Sequence, residues 1–128
     1  MTYYDAIQTK QKLDQFNGII ETLEAEKKTA EKTFIQDRGL CVDNLLDIKD
    51  ENDFYSLLDD FLSLPEVIAI NTKIMSIEAE KRPVEEDFLK EIISISPSHI
   101  AEGIRRFLHL QSFREKTIDV FLKNMREL

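Results

Sequence analysis

From Ala6 to Phe34 an apolar residue recurs at alternating steps of three and four, and this pattern limits the possible folds more than any other feature of the chain. The positions are Ala6, Thr9, Leu13, Phe16, Ile20, Leu23, Lys27, Ala30 and Phe34, and only Thr9 and Lys27 are polar. A period of 3.5 residues places them on one stripe of a helix, the seam along which another helix packs. A helix over residues 1–38 is therefore expected. Thr2 and Asp5 match the capping pattern at its start, where side chains satisfy free backbone N–H groups. Arg38-Gly39 matches its stop, a basic last turn followed by the residue that takes left-handed backbone most readily. Asn17-Gly18 is the weak point inside it. Gly costs about 1 kcal/mol against Ala in a helix, and Asn-Gly is a turn dipeptide. The apolar phase runs through the pair unshifted, which favours one continuous helix.

The rest of the chain reads as shorter helices. Residues 40–50 form a connector with a helical turn capped by Asp43. Asp50-Glu51-Asn52-Asp53 then opens a helix whose apolar residues, Phe54, Leu57, Leu58, Phe61 and Leu62, form one amphipathic stripe. Ser63-Leu64-Pro65-Glu66 starts the next, with Pro in the first turn. Lys81-Arg82-Pro83 is expected to end it near Glu80, because the residue before Pro is pushed out of the helical region. Val84–Ile95 forms another, with Val84, Phe88, Leu89, Ile92 and Ile93 on one face. Ser96-Pro97 begins the last, which runs to the C-terminus with a kink near Gln111-Ser112. Three Gly and three Pro leave few turn formers for a β fold. The expected architecture is all-α: one domain over 1–128, an elongated helical bundle. It comprises a long coiled-coil-like helix (1–38), short central helices (39–96) and a long C-terminal helix (97–128).

Length sharpens the seam. A helix of about thirty-six residues is ~54 Å long, whereas a compact body of this chain length is roughly 36 Å across. Two arrangements satisfy the apolar stripe. Either the C-terminal helix, ~46 Å long, runs beside the first as an antiparallel hairpin, or the first helix pairs with another chain. Lys27, at a core-type position, marks where a polar residue sets register or where coverage ends.

Charge is unevenly spread. The chain carries a net −8. Residues 39–66 hold eight acids against Lys49 alone, and residues 98–128 hold six bases against four acids. Arg105, Arg106, Arg114 and Lys116 are the candidate anion contacts. The acidic balance of the whole chain speaks against nucleic acid, and Phe107 and Phe113 fit the apolar stripe, so pairing with the 39–66 acids is the expected fate of these cations. Tyr3 and Tyr4 precede the seam, either stapling the helix start or serving as an aromatic anchor at an interface.

Motifs for chemistry are missing. A di-iron bundle needs Glu-x-x-His twice, and neither His99 nor His109 has Glu three residues before it. One Cys and two separated His do not make a zinc site. From Asp47 an EF-hand loop would need an acid or amide at its third position and Gly at its sixth; Lys49 and Asn52 stand there. Glu85-Glu86 is followed by Asp87, Phe88 and Leu89, so the third carboxylate of a Glu-Glu-x-x-Glu magnesium helix is missing. First-turn acids are what a helix dipole favours anyway. No Ser lies in a Gly-x-Ser-x-Gly elbow. A non-enzymatic chain with no cofactor and no metal is expected. Cys41, the lone cysteine, suits a reducing compartment. Met1–Asp5 lacks the basic start and apolar run of a signal peptide, and no stretch approaches the ~18 apolar residues of a membrane span. The expected location is the cytoplasm, a host cytoplasm included.

These features point to a protein–protein interaction module acting through helix faces: an adaptor, inhibitor, immunity factor or small chaperone. Homodimerisation through the first helix is one form of it, with Leu13, Phe16, Ile20, Leu23 and Phe34 as contact residues. The alternative is a nucleic-acid-associated regulator using the basic C-terminal helix. No membrane partner is expected.

Overall fold

The computed structural model describes residues 1–40 and 48–127, so the turn expected at Asp43 lies outside the described residues. Among the described residues there are five helices and no strand. They are α1 (Tyr3–Asp37), α2 (Glu51–Leu62), α3 (Pro65–Ile95), α4 (Ser98–Phe107) and α5 (Gln111–Arg126).

The first helix follows its sequence signals closely. The Asp5 N–H donates to Thr2 Oγ1 at 3.1 Å and the Thr2 N–H to Asp5 Oδ2 at 3.4 Å, a reciprocal cap. At the far end Gly39 has φ +64°. There the Leu40 N–H donates to the Ile35 carbonyl and the Gly39 N–H to the Gln36 carbonyl, both at 3.0 Å. This is the paired closure that left-handed glycine permits. Helix α1 continues through Asn17-Gly18. Ala6, Leu13, Leu23 and Phe34 are buried, and Thr9, Phe16, Ile20, Lys27 and Ala30 are half-buried. Every seam position is thus turned inward, the two polar ones included.

Two expectations need correction. Pro83 does not end a helix; it lies inside the 31-residue α3. Proline removes one N–H, leaving the carbonyl of Ala79 without its helical partner. Ala79 and Pro83 are both exposed, so water can serve that carbonyl. Immediately beyond, Phe88, Leu89 and Ile92 are buried, and their packing offsets the ~3 kcal/mol propensity cost of Pro. The second correction is that the C-terminal segment is two helices rather than one. Helix α4 stops at Phe107, the Leu110 N–H turns back to the Phe107 carbonyl at 3.0 Å, and α5 begins at Gln111. The Leu108 carbonyl accepts from Arg114 Nη1 at 2.6 Å, and the rings of Phe107 and Phe113 lie 5.4 Å apart.

The residues form two compact units, Met1–Asn17 with Ala79–Leu128 and Gly18–Glu78. In the first, Ala6 and Leu13 of α1 join Phe88, Leu89 and Ile92 of α3, Ile104 of α4 and Ile118 of α5 in one core. Phe88 and Phe121 meet edge to face at 6.2 Å. Lys10 lies between Asp14 at 3.0 Å and Asp119 at 3.5 Å. In the second, Phe34, Phe61 and Val67 make the core, rimmed by Ala30, Ile35, Leu57 and Leu64. Helix α1 packs on α2 here through the tilted rings of Phe34 and Phe61, 5.5 Å apart. The Arg38 guanidinium lies 4.8 Å from the centre of the Phe34 ring and pairs with Asp60 at 3.2 Å.

Candidate interaction surface

Helix α2 has two apolar faces with different surroundings. Asp50 caps its start by accepting from the Asn52 N–H at 2.9 Å. Phe61 is buried against Phe34, and Leu57 beside it is half-buried. Phe54, Tyr55, Leu58 and Leu62 remain open, with exposures of 50%, 51%, 42% and 39%. The physical reason is width. Apolar residues cover well over the ~100° of helix surface that one neighbour needs, so covering the Leu57–Phe61 edge leaves the rest in water. The rings of Phe54 and Tyr55 meet edge on at 6.0 Å, and the Tyr55 hydroxyl donates to Glu51 Oε1 at 3.1 Å. From Asp50 to Thr72 there are six acids and no Lys or Arg.

The residues expected at an interface on α1 occupy other positions. Leu13 belongs to the first core and Phe34 to the second; Leu23 is buried, while Phe16 and Ile20 are half-buried. The wide apolar sector of α2 was visible as a stripe in the sequence. Which part of it stays open depends on where Phe34 approaches, a contact far away along the chain.

The four candidate anion contacts do not act alike. Arg105 and Lys116 are exposed. Arg106 Nη2 donates to Glu102 Oε1 at 3.1 Å, one turn back on the same helix. Arg114 Nε donates to Glu85 Oε1 at 2.7 Å, and Lys81 lies 3.8 Å from the other oxygen of that carboxylate. Glu102 and Glu85, rather than the 39–66 acids, thus meet these two arginines. His99 and His109 are exposed.

Among the described residues no three His, Cys, Asp or Glu side chains converge to hold a metal ion, and no helix is long and apolar enough to cross a membrane. A shallow depression on α1 is lined by Gln8, Thr9, Gln11, Lys12 and Gln15, mostly amides. No known protein family, curated protein or solved structure matches the chain.

Proposed function

We propose that the chain is a non-enzymatic protein–protein interaction module working through its helix faces, as an adaptor, inhibitor, immunity factor or small chaperone does. One observation carries this: the open apolar face of α2, with Phe54, Tyr55, Leu58 and Leu62 together within about two and a half turns. Single exposed apolar residues are ordinary on protein surfaces, but a contiguous patch marks a contact site. Covering it gains ~25 cal/mol per Å² of apolar area removed from water. Pairing two copies along the α1 seam has less support, since Leu13 and Phe34 would have to leave the chain's own cores. The nucleic-acid alternative is weakened by the engagement of Arg106 and Arg114 with Glu102 and Glu85. The proposed setting is the cytoplasm, which suits a lone cysteine.

The test is gel filtration of extracts from the native cell. The wild-type chain is expected in an assembly larger than itself, and Leu58→Lys is expected to release it. Co-elution of wild type and variant would contradict the proposal.

A further inference from the structure

We infer that the outer face of α2 docks a basic amphipathic helix of another protein. The inference rests on the interaction function proposed above and adds the chemistry of the occupant. Phe54, Leu58 and Leu62 stand at i, i+4 and i+8, so they form one ridge along the helix. Ridges of this kind fit the groove between side chains on a second helix. The ridge rises ~12 Å from Phe54 to Leu62, about two turns of a partner helix. A parallel row at i, i+4 and i+8 borders it: Glu51, Tyr55 and Asp59, all exposed. An apolar ridge flanked by a carboxylate–phenol–carboxylate row suits a helix with apolar residues on one stripe and Lys or Arg beside it. From Asp50 to Thr72 the chain holds six acids and no Lys or Arg, with Lys49 and Lys73 just outside that stretch. Arg38, which approaches α2, is held by Asp60 and the Phe34 ring.

Charge also argues against other occupants. Two copies meeting through this same face would bring the same acids against each other and repel. Nucleic acid and anionic lipid surfaces are repelled for the same reason. A cationic helix is steered in, and complementary charge raises its on-rate and fixes its register.

The test uses the full chain and two labelled synthetic peptides of about 18 residues, long enough for helix to form on contact. Both have the same leucine stripe; one carries Lys on its flanks and the other Glu. Fluorescence anisotropy is expected to show the Lys peptide binding with a Kd on the order of micromolar, and the Glu peptide at least about tenfold weaker. Leu58→Lys is expected to weaken the Lys peptide about tenfold or more, because it places a cation on the ridge. Glu51→Gln with Asp59→Asn is expected to weaken it about threefold and to flatten its salt dependence. All three positions are exposed, and unchanged helical circular dichroism verifies the fold. Equal binding of the two peptides, no binding of either, or indifference to both sets of substitutions would overturn the inference. Self-association in sedimentation that Leu58→Lys abolishes would also overturn it, naming a second copy as the occupant. If Leu58→Lys dissolves the assembly in extracts while the peptides show no charge preference, the basic-helix inference fails alone. If neither experiment responds, the proposed interaction function fails with it.

Discussion

Arg114 of α5 donates from Nε to Glu85 Oε1 of α3 at 2.7 Å, and the same guanidinium reaches the Leu108 carbonyl through Nη1 at 2.6 Å. Glu85 is buried, with Lys81 as its second cation at 3.8 Å. One side chain therefore joins α3 to α5 and occupies a carbonyl that a continuous helix would have offered to the Ser112 N–H. The break between α4 and α5 is tied to a charge pair 29 residues apart in the chain.

Removing one partner strands the other. Arg114→Met should lower stability by about 2–3 kcal/mol, less than for a fully buried pair because the arginine side chain is a quarter exposed. Glu85→Gln should cost less, since an amide can still accept from the guanidinium. In urea titrations the double variant should lose less than the sum of the two, the signature of coupled groups. Strict additivity would contradict the pairing.

Gly18→Ala should stabilise the chain. Glycine in a helix interior costs about 0.5–1 kcal/mol against alanine, and a Cβ built at Gly18 meets nothing within 4 Å. A raised midpoint of thermal unfolding is the readout. A lowered one would mean that α1 is broken there.

Pro83→Ala should stabilise it as well, by about 1–2 kcal/mol. The substitution restores a hydrogen bond to the Ala79 carbonyl, while the freer unfolded chain returns part of that gain. No change in the urea midpoint would place Pro83 at a helix boundary.

Lys10 predicts a dependence on pH. Burial pulls its pKa down, but the hydrogen bond and charge of Asp14, together with Asp119, more than offset this and leave it above the ordinary 10.5. A cation whose pKa is raised on folding contributes stability that is complete below the unfolded value and lost as pH rises through the folded one. Wild type should therefore exceed Lys10→Met in stability at neutral pH, and the gap should narrow only above 10.5. A gap independent of pH up to the alkaline limit would contradict the pairing.

Much of this architecture is legible in single residues. Thr2 with Asp5, Asp50 and Gly39 mark helix ends that local hydrogen bonding enforces, and the Ala6–Phe34 seam marks the inward face of α1. Where tertiary contacts outweigh a local rule, the residues mislead. Pro83 reads as a stop, yet Phe88, Leu89 and Ile92 hold the helix together just beyond it. The kink expected near Gln111-Ser112 falls where α5 begins, but that α4 stops outright at Phe107 is not legible locally, because that geometry is tied to distant Glu85. The candidate surface was half visible. Its apolar stripe is plain in the sequence, but the division into a covered edge at Leu57 and Phe61 and an open ridge at Phe54, Leu58 and Leu62 is set by Phe34.

Site-specific photo-cross-linking in the native cell tests the role of α2 most directly. A photoreactive phenylalanine analogue at Leu58 is compared with one at Glu24, an exposed position on α1. A discrete adduct to a second protein from Leu58, with none from Glu24, is the predicted result. Equal labelling at both positions, or no adduct at Leu58, would contradict the account.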